Sequence, residues 1–135
     1  MGAIDRFLQS IRYPERPRAV SDGVAISVDG EEVRVSERGG GLVFARTLVA
    51  GADADEQIQR LMELAAGRIL KEEATLSYDP EREALILWQA VAANADETRL
   101  RRVFELFCTS CDWWTARTSG EAEVIDRMPE MVIRP

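Results

Sequence analysis

The chain has 135 residues, a formal net charge of -7 at pH 7 and no histidine. That length is near the commonest size of one domain, and 46% hydrophobic residues are enough to bury a core. The acidic balance excludes a protein that grips nucleic acid or anionic lipid through clustered Lys and Arg, and the longest apolar runs, such as 84–91, fall far short of the roughly 20 residues of a membrane-spanning helix.

Ile4, Phe7, Leu8 and Ile11 follow the i, i+3, i+4, i+7 rule and predict a short helix over 3–12, ended by the region of Pro14 and Pro17. Next, "GVAISVDGEEVRVSERGGGLVFARTLV" reads as an antiparallel meander of three strands. Val24, Ile26 and Val28 alternate with small or polar residues, Asp29-Gly30 is a hairpin turn, Val33 and Val35 resume the alternation, and Gly39-Gly40-Gly41 turns the chain into Leu42–Val49. From Asp53 or Asp55 the period becomes helical, with Ile58, Leu61, Met62, Ala65 and Ile69 on one face and Asp53 and Glu56 as a capping pair, giving a helix near 55–71. "ATLSYDPEREALILWQAV" gives two strands around the turn Asp79-Pro80-Glu81, and the segment from Asp96 to about Arg117 is helical again. The order α-β-β-β-α-β-β-α predicts an α+β domain, helices on an antiparallel sheet, as a single domain over 1–135 with its core at about 3–118 and a tail at 119–135. The tail is weakly patterned, free to dock as an extra strand or to stay mobile. Charges inside the apolar part of the N-terminus break the uninterrupted core of a signal peptide, so a cytoplasmic location with reduced thiols is expected.

Cys108-Thr-Ser-Cys111 can be a redox dithiol, half of a metal site, or two small residues of a packed helix. At ~100° per residue, Leu100, Val103, Phe104, Phe107, Cys111 and Trp114 share one stripe, with Cys108 at its edge. A redox pair wants its first thiol exposed at a helix N-terminus, and no second CxxC or histidine completes a zinc site. The core reading is therefore preferred, with no metal and no cofactor. The lack of histidine also removes the usual base of a Ser or Cys nucleophile, so no catalytic residues are assigned and the chain is read as a non-enzyme. Glu31/Glu32 and Glu72/Glu73 point apart as sequence neighbours, and the Gly triplet lacks the Lys-Ser/Thr of a P-loop.

Some apolar residues lie where no core is expected. Leu106 and Trp113 fall well away from the Leu100 stripe, Leu64 and Leu70 lie off the stripe of the second helix, and Trp88 serves either core or interface. These five are the candidates for a dimer seam or second interface, with the tail folding over Trp113 as the competing arrangement, and they predict a two-fold symmetric homodimer.

"LSYDPEREALILWQAVAANADETRLRRVFELF" and "VAISVDGEEVRVSERGGGLVFARTLV" resemble the second hairpin with its last amphipathic helix, and the three-strand meander, of the class I chaperones of bacterial type III secretion, the family that includes the chaperone of the Tir effector. The likeness spans roughly 3–118; the sequence differs from the family pattern at "RYPERPRAVSDG", which replaces an apolar run before the first strand. The resemblance implies a homodimer without enzymatic activity that binds the unfolded, extended N-terminal segment of a secreted effector, with no nucleic acid and no membrane insertion, and keeps it ready for export. It places the client over pockets of the first helix and the strands, and the seam at the second helix and second hairpin. Phe7, Leu8, Ile11, Val33, Val35 and Phe44 are the expected client-binding positions, each competing with a role in the monomer's core. The alternatives are an acidic adaptor or regulator on the same fold and a thiol oxidoreductase using Cys108 and Cys111.

Overall fold

The computed structural model describes residues 2–118, without the side chains of residues 52, 53 and 55. In chain order the elements are α1 (Ala3–Ser10), β1 (Arg18–Val20), β2 (Gly23–Val28), β3 (Glu31–Arg38), β4 (Gly41–Ala50), α2 (Ala52–Arg68), β5 (Thr75–Asp79), β6 (Ala84–Ala92) and α3 (Glu97–Thr118). The strands form one antiparallel sheet in the order β1-β2-β3-β4-β6-β5. This is the expected α+β order with one addition, the three-residue β1, which pairs Arg18 to Ala25 and Val20 to Gly23. The tail and the Asp53 and Asp55 caps lie outside the described residues.

Turn chemistry sets the meander. Asp29 and Gly30 have φ of 52° and 82°, and Gly39 and Gly40 have 55° and 79°, so both hairpins close with two left-handed residues whose twist matches the strands. Gly41 is not part of the turn; it pairs with Arg38 as the first residue of β4. In the second hairpin the Asp79 carboxylate accepts the backbone N–H groups of Glu81 and Arg82 at 3.1 and 3.4 Å.

Alternation sends one set of side chains to the helices. Ile26, Val33, Val35, Leu42, Phe44, Leu76, Leu85, Leu87 and Val91 form one buried cluster with Phe7 of α1, Ala54 and Leu61 of α2, and the α3 stripe. That stripe is the predicted one: Leu100, Val103, Phe104, Phe107, Cys111 and Trp114 are buried, Cys108 half-buried. All three helices thus cover one face of the sheet. Two turns of α1 could not stand alone; Phe7 is fully buried, and the Arg6 guanidinium donates to the carbonyls of Ala93 and Ala95 at 2.9 and 2.7 Å, fastening the helix to the β6–α3 loop.

The second helix departs from its expected position. It begins at Ala52, directly after Gly51, whose φ of 67° makes the corner from β4, and it ends at Arg68, so Ile69 lies beyond it. Leu61 is its buried centre, with Ile58, Leu64 and Ala65 packed beside it. Leu64 therefore faces the core and not a second surface, while Met62 and Ile69, expected inward, are exposed. On the wheel Leu64 lies ~60° from Leu61 and Met62 ~100°.

Candidate interaction surfaces

Of the six expected client-binding residues, Phe7, Val33, Val35 and Phe44 are sealed inside the monomer, each at most 2% exposed. No ligand reaches them while the core is closed, so the assignment is corrected: these four are core. Leu8 and Ile11 remain half-buried at the surface of α1, packed at the margin of the core with Tyr13. The Tyr13 hydroxyl accepts the backbone N–H of Ser27 at 3.0 Å, which ties the α1–β1 connection to β2. Beside this corner runs β1, an outermost strand whose only ladder among the described residues is with β2. The sequence signal for that edge is faint, because three residues between Pro17 and Ser21 are too few to show a period.

A second apolar surface lies at the opposite edge. Met62 is 39% exposed, Ile69 74% and Leu70 97%; Met62 and Ile69, with Ala66 and Leu76, line a groove of about 630 Å³ between the end of α2 and β5, the other outermost strand, and Leu70 follows Ile69 in the chain outside it. Met62 and Ile69 were not among the expected interface residues; Leu70 was.

The other expected interface residues are dispersed. Leu106 is 38% exposed on the outer side of α3. Trp113 is covered by the chain itself: the Arg68 and Arg117 guanidinium groups lie 3.6 and 4.0 Å from its ring centroid, and Trp114 meets it edge-on at 5.0 Å. Trp114 in turn donates its indole N–H to Glu72 at 2.9 Å, and Glu72 pairs with Arg68 at 3.4 Å, so one network locks the end of α2 onto the end of α3. Trp88 points to the face of the sheet that no described helix covers, its indole N–H donated to Ser77 at 2.8 Å.

The cysteines line a small cavity of about 230 Å³ between α3 and the β2–β3 hairpin, with the buried Arg46 paired to Glu31 at 3.6 Å. Burial pushes the Cys108 thiol up to about 12, with the neighbouring Cys111 and Asp112 adding to the shift. Burial likewise raises Cys111 to about 11, against the opposing pull of Arg46. At pH 8 the thiolate fraction of either is about a thousandth or less, against about a tenth in an unfolded chain. Native protein is therefore expected to react with iodoacetamide at least about a hundredfold more slowly than urea-unfolded protein at pH 8. The unfolded thiols ionise from about pH 9 upward while the folded ones stay neutral, so their contribution to stability is intact below pH 9 and is lost as pH rises towards 11 to 12. Alkylation of native Cys108 at the rate of a free thiol would return the dithiol to consideration. Among the described residues, no three His, Cys, Asp or Glu side chains converge as metal ligands.

No protein-family model matches the chain, and no curated protein matches it in sequence. Solved structures do match. SchA in the HopA1-SchA chaperone-effector complex is similar with a TM-score of 0.64 and 16% identity, over 84% of this chain and 90% of that one. The ExoT-SpcS complex of Pseudomonas aeruginosa gives 0.57 and 17%, over 82% and 92%. The Yersinia pestis type III secretion chaperone SycH, in complex with a fragment of YscM2, gives 0.55 and 14%, over 83% and 96%. With 82–84% of this chain and 90–96% of the others shared, the fold of this chain is that of the type III secretion chaperones.

Proposed function

We propose that the chain is a type III secretion chaperone: a cytoplasmic, non-enzymatic homodimer that binds the extended N-terminal segment of a secreted effector and keeps it competent for export. The observation that supports this most is the fold, shared over 83–84% of this chain with chaperones solved in complex with partner proteins, an effector in the case of SchA. The surfaces agree with the reading. A disordered segment binds only through long contact, because its ordering entropy must be offset along its length. The outer edge of β1 offers backbone partners for a strand, and Leu8 and Ile11, half-buried at the surface of α1, offer apolar contacts for another stretch of the same segment.

The test begins with pull-down from the native cell and identification of the secreted protein captured; binding is then measured with that protein's isolated N-terminal segment. Leu8→Asp with Ile11→Asp is expected to weaken binding of the segment at least about tenfold, since each anchor contact that buries such a side chain is worth about 1.5–3 kcal/mol, while the protein still unfolds cooperatively. Unchanged binding in a folded double variant would place the client elsewhere; failure of the dimeric wild type to bind any secreted protein's N-terminal segment would end the chaperone reading.

A further inference from the structure

The face of the sheet opposite the helices holds a trough of about 720 Å³ that runs across the strands, from the β1–β2 turn to the β5–β6 hairpin. Five strand spacings make that roughly 24 Å. Its floor is apolar, with Val43, Ala45, Ile86 and Trp88, all half-buried although no element of the described chain covers them. Cations stand over this floor. Arg38 is held by Asp22 at 2.5 Å and Arg82 by Asp79 at 3.8 Å, whereas Arg34 makes no ion pair within 4 Å among the described residues and acts on Asp22 only at longer range. Strand register puts Arg34, Ala45 and Trp88 in one cross-strand row, two strand spacings or roughly 10 Å from guanidinium-bearing strand to indole-bearing strand, with the small Ala45 as the low point between them.

We infer that this trough binds an acidic amphipathic helix, its apolar side chains on Trp88, Ile86 and Val43 and an Asp or Glu paired with Arg34. The inference deepens the chaperone reading and rests on it, the helix being a part of the client separate from the segment at β1. A helix suits this surface for a physical reason. The ladders already use the strands' backbone groups, so an extended segment laid across the face would find no partners for its own N–H and C=O groups, whereas a helix satisfies them internally. About 16 residues of helix span the trough, and the row spacing sets the pattern: an apolar residue at Ala45 and Trp88 with the carboxylate four to seven residues along, about 6–10 Å away. Selection of acid here runs against the chain's net charge of -7, which attracts basic partners at long range. The charge preference is therefore a local property of Arg34, and that makes it separable.

The probe is a displayed library of 18-residue peptides with apolar residues fixed at helical period and the flanking positions varied among Asp, Glu, Lys, Arg and Ser. Full-length wild type is expected to enrich Asp and Glu. Arg34→Glu should weaken the best peptide at least tenfold and shift enrichment to Lys and Arg, and Ile86→Glu should abolish both. Arg34 is half-buried and makes no ion pair within 4 Å among the described residues, so the charge-swap variant is expected to keep the fold and decides the question even if Ile86→Glu unfolds. No enrichment, no acidic preference in wild type, or binding unchanged in Arg34→Glu overturns the inference. So does loss of half the assembly's mass in a folded Ile86→Glu, which would give the face to a second copy. An effector segment that wild type and both variants bind equally leaves the chaperone reading intact and removes this one alone.

Discussion

Phe44→Ala is expected to cost about 3–5 kcal/mol, the range for emptying a fully buried aromatic site. Phe44 sits in the middle of β4, between Val35 of β3 and Gln89 of β6 in register, and is fully buried. Its ring centroid lies 4.8 Å from Phe7, 5.2 Å from Phe104 and 5.9 Å from Phe107, so it is the point where α1 and α3 meet the sheet. Removing it takes away the contact surface of three other rings at once, and the backbone of a central strand cannot move to close the gap. A domain of this size has about 5–15 kcal/mol of stability in total, so the variant should be partly unfolded at physiological temperature. Urea unfolding measures the effect; at about 1–3 kcal/mol per molar urea, the midpoint should fall by about 1–5 M. A loss under 1 kcal/mol would mean that the neighbouring rings collapse into the space. The same geometry makes Phe7→Asp and Val35→Asp unsuitable as probes of client capture, because a carboxylate at either place must leave the core or unfold it.

The sheet and α3 were legible because their signals are redundant. Each meander strand alternates, each hairpin has a turn that demands left-handed residues, and α3 carries six apolar residues on one stripe. Elsewhere the sequence misleads for identifiable reasons. In α2 the residues around Leu61 are small or long-chained on every side, so the wheel allows more than one inward face, and only the packed sheet selects Leu64 over Met62. Arg46 and Gln89 occupy inward positions that composition assigns to solvent; they are held by Glu31 at 3.6 Å and Glu73 at 3.0 Å, partners distant in sequence. The client-binding residues fail on a more general ground. Alternation tells which side chains share a face, but whether that face is sealed or open depends on the helix laid over it. Val35 and Trp88 both stand in apolar alternating strands; one is on the face the helices cover, the other on the face that no described element covers.

The remaining large effect concerns assembly. Leu70 at 97% and Ile69 at 74% exposure, next to Met62 and the outer edge of β5, are a concentration of apolar surface that a monomer has no use for. A two-fold axis near this corner would lay each copy's α2 end against the other's second hairpin, covering apolar side chains and an open strand edge together, and closure by two-fold symmetry stops further growth. Light scattering at micromolar concentration is therefore expected to give twice the chain mass of 15.1 kDa. Ile69→Glu with Leu70→Glu should give a folded monomer. Each side chain contributes about 1.5–3 kcal/mol when buried, and symmetry counts every substitution twice, so the dimer should weaken at least a thousandfold. Leu106→Glu, on the outer side of α3, separates this seam from the alternative; dissociation by that change and not by the pair at 69 and 70 would move the interface to α3. A wild-type mass near 15.1 kDa would refute the dimer outright.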